Sequence, residues 1–148
     1  MGTHYNGSEK EQKTLNAFIK LMRATESINN RLNRQLADVD LTISQFGVLE
    51  ALLHLGPLNQ KALGEKLLKS GGNITLVVDN LEKSGWVERQ QDPEDRRSML
   101  VHLTSEGKEF ISSYFPKHLD RIMQEFDVLS EDELEDIAAI CKKLGVQG

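Results

Sequence analysis

Between Gly56 and Thr104 the apolar residues change period, and that change leaves few folds open to the chain. Asn59 precedes a short stretch with Leu63 and Leu67 at helical spacing, and Ser70-Gly71-Gly72 reads as a tight turn. Ile74, Val77, Val78 and Leu81 then fall on one face of a second helix, which Gly85 is placed to end. The period changes at once: residues 86–90 and 99–103 have strand-type composition and flank the polar, charged stretch 92–97. Helix, tight turn, helix and hairpin follow one another without a linker.

The flanks are helical. Ser8 and Glu11 have capping-box spacing, and Leu15, Phe18, Ile19, Met22, Ile28, Leu32, Leu36 and Val39 follow at helical intervals. That predicts a helix of about 30 residues, far above the usual 11–12, and a helix so long packs against a partner chain or spans two layers. Thr42 and Gln45 open the next helix, which Gly56-Pro57 closes. Beyond Thr104 a helix carries Phe110, Ile111, Tyr114, Phe115, Leu119, Ile122, Met123 and Phe126, with a kink expected at Pro116. Ser130 and Glu133 cap a last helix lined by Leu134, Ile137, Ile140, Cys141 and Leu144, in which Cys141 reads as a small buried hydrophobe. The fold class is therefore mainly α with a small β-hairpin wing: a winged helix-turn-helix.

Such a unit suits duplex DNA. The second helix of the pair fits the major groove with its N-terminal residues at base edges. A hairpin tip delivers arginines to the adjacent minor groove. With Ile74, Val77, Val78 and Leu81 turned inward, the outward residues are Gly72, Asn73, Thr75, Leu76, Asp79 and Asn80. Asn73, Thr75 and Asn80 offer hydrogen bonds, Leu76 offers contact to a thymine methyl, and Ser70, Gly71 and Gly72 let bare N–H groups approach phosphate. Ser70 serves equally as a plain N-cap. The helix holds no Lys or Arg before Lys83, so Arg96 and Arg97 in the hairpin loop are expected to carry much of the grip. One of them is expected to reach DNA while Asp95 holds the other.

Charge does not oppose this. The net charge is −5, yet residues 1–40 carry six basic against five acidic side chains and residues 41–104 seven against eight. Residues 105–148 carry five against ten and account for the whole excess. Net charge governs solubility and steering without forbidding a local basic contact.

Several classes are disfavoured. No stretch reaches the roughly 18 apolar residues of a membrane span, and the single cysteine excludes an internal disulfide. His4, His54, His102 and His118 are scattered without ligand spacing, so neither metal nor other cofactor is expected. No nucleophile elbow, phosphate-cradling glycine loop or carboxylate pair points to an enzyme. A cytoplasmic regulator fits these features. The alternative is a winged-helix protein–protein interaction module without sequence-specific DNA binding.

Leu81-Glu82-Lys83-x-Gly85-x-Val87-x-Arg89, followed by Asp92-Pro93-Glu94-Asp95-Arg96-Arg97 and Val101-x-Leu103-Thr104-x-x-Gly107, resembles the MarR family of transcriptional regulators. The resemblance implies that Asp95 and Arg97 brace the wing tip. It also implies a homodimer, with residues 1–40 and 105–148 as dimerisation helices around a DNA-binding region at 41–104, and a repressor of a palindromic operator. Gly71, Gly72 and Leu76 depart from the polar or basic residues usual there. Ser70-Gly71-x-x-Ile74-Thr75-x-Val77-Val78-Asp79 and Phe115-Pro116-x-His118 are similar to a subgroup answering quinones and related aromatic electrophiles. A small aromatic, phenolic or lipophilic effector is expected where helices converge, with Phe18, Met22, Phe46, Phe110 and Tyr114 as candidate linings or as plain core. No cysteine stands near the start of the first helix, so the thiol sensing of the family's peroxide-responsive branch is not expected.

Overall fold

A computed structural model describes residues 2–67 and 71–145. Ser70 lies outside the described residues. The chain divides into two compact units, Met1–Ser113 and Tyr114–Gly148.

The helix α1 (Glu9–Leu36) starts at a capping box. Ser8 Oγ accepts the Glu11 N–H at 3.1 Å, and Glu11 Oε1 accepts the Ser8 N–H at 2.8 Å. Hydrogen bonding from Ser8 to that carboxylate, from its backbone N–H first and its hydroxyl second, favours the ionised form and holds the Glu11 carboxyl below its usual range. A 3₁₀ turn over Ala37–Val39 ends the helix with Asp40 in the left-handed region (φ 60°). There the Leu41 N–H reaches the Leu36 carbonyl at 3.2 Å and the Asp40 N–H that of Ala37 at 3.1 Å, a Schellman pairing. Along α1 only Leu32 and Leu36 are buried, while Phe18 and Met22 stand exposed.

Thr42 and Gln45 form the second box, at 3.2 and 3.0 Å, opening α2 (Ile43–Leu55). Strand β1 (Leu58–Asn59) follows, and Asn59 Oδ1 accepts the Ala62 N–H at 2.8 Å to cap α3 (Gln60–Leu67). Helix α4 (Gly71–Lys83) corrects an expectation, for Gly71 and Gly72 form its first turn and not a preceding loop. First-turn N–H groups have no helical acceptor in any case, and the cost of glycine belongs chiefly to helix interiors. Gly85, at φ 82°, ends the helix: its N–H meets the Glu82 carbonyl and the Trp86 N–H that of Leu81, both at 3.0 Å.

Because Trp86 is engaged in that cap, β2 (Val87–Gln91) begins one residue later than expected. It pairs antiparallel with β3 (Met99–Leu103), Val87 opposite Leu103 and Gln91 opposite Met99. The far edge of β3 takes β1, with Leu58 opposite Val101, giving a three-stranded sheet in the order β1-β3-β2. Thr104 closes the hairpin: its N–H donates to the Trp86 carbonyl at 3.1 Å and its hydroxyl to that of Gly85 at 2.6 Å. The same hydroxyl oxygen accepts the Gly107 N–H at 3.0 Å, opening α5 (Ser105–Glu125). Helix α5 continues through Pro116.

The buried apolar residues lie in the first unit: Leu36, Phe46, Val48, Leu49, Leu63, Ile74, Val78, Leu81, Val87, Val101 and Ile111 are almost wholly enclosed. Helices α2, α3 and α4 pack on one another, with α2 on β3 and α4 on β2. Burying each large side chain contributes about 1.5–3 kcal/mol, so the core fixes the orientation of α4. In the second unit, Ser130 and Glu133 make the third capping box, at 3.2 and 2.9 Å, opening α6 (Glu131–Gly145). Leu134, Ile137, Ile140 and Leu144 are exposed there, and so is Cys141, against the expectation of burial.

Candidate nucleic-acid interface

Helix α4 presents its two faces cleanly. Ile74, Val78 and Leu81 are buried, whereas Gly72, Asn73, Thr75, Leu76 and Asn80 are exposed, Leu76 to 61%. Val77 and Asp79 are intermediate. A Cβ added at Gly72 would point into open space.

The wing tip is a string of turns. The Asp92 N–H donates to the Ser98 carbonyl at 3.0 Å, the Ser98 N–H to that of Asp95 at 3.0 Å, and Asp92 Oδ1 accepts the Glu94 N–H at 2.9 Å. Gln91 Nε2 donates to the Arg96 carbonyl at 3.2 Å. These bonds shape the backbone and leave the Arg96 and Arg97 side chains exposed. Asp95 Oδ1 accepts the Arg97 N–H at 3.0 Å, and Arg97 Nε lies 3.7 Å from the same oxygen. With the Arg97 side chain 94% exposed, solvent screens that ion pair to about 0–1 kcal/mol.

At the foot of the wing Arg89 is buried to a far greater degree, its side chain 19% exposed and paired with Asp79 and Glu82 of α4. Sequence reasoning passed over it as one letter of a motif. The signal available was a lone basic residue in a strand facing two carboxylates one helical turn apart.

A winged helix-turn-helix of this form has close relatives. A MarR family model matches residues 41–99, from the approach to α2 through the start of β3. The HTH-type transcriptional regulator YkoM of Bacillus subtilis is 35% identical over 138 residues, covering 93% of this chain and 90% of its own length. The chain belongs to the MarR family. A second Bacillus subtilis member, the HTH-type transcriptional regulator MhqR, is 36% identical over 91% of this chain and 93% of its own. Among solved structures, the MarR family regulator Sco3205 of Streptomyces coelicolor in complex with DNA matches with a TM-score of 0.85 at 25% identity, covering 98% of this chain and 93% of that one. This MarR-family chain is accordingly a DNA-binding transcriptional regulator with a winged helix-turn-helix.

The expected effector linings have separate situations. Phe46 is buried in the core, and Phe110 stacks on Trp86 with ring centroids 4.7 Å apart. Phe18 and Met22 are exposed on α1, and in the second unit the Tyr114 hydroxyl accepts from Arg121 Nη1 at 2.8 Å. A groove of about 530 Å3 where α1 meets α2 is lined by Asn29, Asn33, Asp40, Thr42 and Ser44 with Ala37, Leu41 and Ile43, and includes none of the five. Among the described residues no three His, Cys, Asp or Glu side chains gather as a metal site, and no helix is long and apolar enough to cross a membrane.

Proposed function

We propose that the chain is a homodimeric repressor that grips a palindromic operator and lets go when a small aromatic or lipophilic effector binds. The observation that carries this reading is the exposed face of α4 together with a wing that ends in two solvent-facing arginines, Arg96 and Arg97. In it, Gly72, Asn73, Thr75, Leu76 and Asn80 meet the major groove, Ser70 and Gly71 add contact to phosphate, and the wing arginines reach backbone or minor groove. Asp95 keeps the wing tip in shape.

The dimer is supported by apolar surface the protomer leaves open: Ile137 and Ile140 on α6, and Phe18 and Met22 on α1. Two copies place two α4 helices on half-sites about one helical turn apart. Of the effector candidates, Phe18 and Met22 have side-chain surface to offer, while Phe46 and Phe110 are engaged in packing. An effector that favours a spacing unsuited to DNA lowers operator affinity by its preference between the two states.

Binding isotherms on the chain's own promoter fragment and on random duplex, at two salt concentrations and with a series of phenols and quinones, test the reading. Operator binding should exceed random binding, weaken steeply with salt, and fall with at least one aromatic compound. Absence of DNA binding at low salt sinks the operator reading and favours a protein–protein module. Tight binding indifferent to every compound sinks only the effector.

A further inference from the structure

Every nitrogen of the Arg89 guanidinium is engaged. Nη2 donates to Asp79 Oδ1 at 2.7 Å, Nη1 to Glu82 Oε1 at 2.8 Å, and Nε to Gln60 Oε1 at 2.9 Å. The backbone N–H of Arg89 adds a bond to Glu82 Oε2 at 3.2 Å. Gln60 passes the connection on, its Nε2 donating to Thr75 Oγ1 at 3.0 Å. One side chain on β2 thus ties the wing to the first residue of α3 and to two turns of α4, and the chain of bonds reaches Thr75 on the exposed face.

Three acceptors in three directions match a planar fork and not a compact ammonium. Charge-assisted bonds at these lengths, on a side chain mostly shielded from water, are stronger and more directional than exposed ion pairs. Asp79 and Glu82 also sit on the helix that faces DNA, where unpaired carboxylates would repel phosphate. Arg89 offsets both.

We infer that Arg89 is a positioning residue for operator recognition: without touching DNA, it fixes α4 against the wing and, through Gln60, sets the Thr75 hydroxyl oxygen. This rests on the DNA-binding reading of α4 and the wing. It departs from it by giving sequence discrimination to a residue outside the contact surface.

The test compares wild type, Arg89→Lys, Arg89→Met and Gln60→Leu on operator and on random duplex across a salt series, with thermal melts alongside. Arg89→Lys and Arg89→Met should each lose about tenfold in operator affinity, the scale of one base contact. For Arg89→Lys, which keeps the charge, random-duplex affinity should change by less than about twofold and the slope of log K against log salt should stay that of wild type, whereas Arg89→Met, which leaves both carboxylates unpaired, should weaken random duplex as well. Gln60→Leu, which leaves both ion pairs in place, should lose several-fold on operator alone. The inference is overturned if Arg89→Lys restores operator affinity, since charge alone then suffices. It is equally overturned if the salt slope of Arg89→Lys falls by about 0.9, the mark of a lost phosphate contact, or if that variant loses both duplexes in parallel. Should the Arg89 variants fail to fold, Gln60→Leu decides: unchanged operator affinity rejects the relay. A wild-type protein that binds no operator fails the DNA reading itself, a separate outcome.

Discussion

The three arginines of the wing differ by burial, and burial assigns their work. Arg89 is shielded and fully paired, whereas Arg96 and Arg97 stand in solvent at the tip. Replacing the exposed pair, Arg96→Ala with Arg97→Ala, should leave the melting temperature nearly unchanged, because the Arg97–Asp95 pair is worth about 0–1 kcal/mol. Operator affinity should drop, with the salt slope reduced by about 0.9 for each phosphate contact removed. Equal affinity for the double variant and wild type on the promoter fragment would reject the wing as a DNA contact. A residue with the opposite character is His118, which is buried. Burial first, and the nearby Arg121 charge second, push its pKa below the ordinary 6.5. The unfolded chain therefore binds this proton more readily than the folded one, so His118 favours folding above about pH 6.5 and that share is lost as pH falls through its folded value. Denaturant titrations between pH 7.5 and 5 should show stability falling with acid, and His118→Gln should flatten the slope. An identical slope in the variant would exclude His118 as its source.

Among elements, those announced by local chemistry were legible and those made by distant pairing were not. All three capping boxes, the Asn59 cap and the Gly85 stop stand where spacing put them, because each involves residues at most a few positions apart. Strand β1 escaped notice: two residues beside Gly56-Pro57 have no period to read, and only their pairing with β3 makes them a strand. The Arg89 network escaped for the same reason, since its Gln60 partner lies 29 positions away. On the exposed face of α4, periodicity separated core from surface at Ile74, Val78 and Leu81, yet could not show that half-buried Asp79 is spoken for. The glycines of the motif now have separate causes. Gly85 needs its positive φ, while at Gly107 a Cβ would fall on the Trp86 carbonyl oxygen. Gly85→Ala should cost about 1–2 kcal/mol from left-handed strain. Gly107→Ala should cost about 1–3 kcal/mol from overpacking against backbone that Thr104 holds in place. Chemical denaturation measures both, and a Gly107→Ala protein as stable as wild type would show that this junction yields.

At the scale of the whole molecule, the apolar pattern of the sequence exceeds what one protomer buries. The stripe foreseen along α1 is enclosed only at Leu32 and Leu36, and the stripe along α6 remains open at Ile137, Ile140 and Leu144, the last two at least half exposed. Helical periodicity specifies that a face is apolar without saying whose surface covers it, so burial of Cys141 was expected within the chain and is not found there. In the proposed dimer a second copy covers these faces, and dimerisation then sets the distance between two α4 helices. Ile137→Asp with Ile140→Asp inserts two carboxylates into that contact, where burial without a partner costs several kcal/mol. Because both side chains are exposed in the protomer, each unit's own fold should persist by circular dichroism. Light scattering should report a monomer, and operator affinity should collapse toward that for random duplex, since one half-site alone holds no palindrome. A double variant that remains dimeric would move the interface away from α6. One that turns monomeric yet binds the operator as tightly as before would separate dimerisation from recognition and leave the single winged helix as the reading unit.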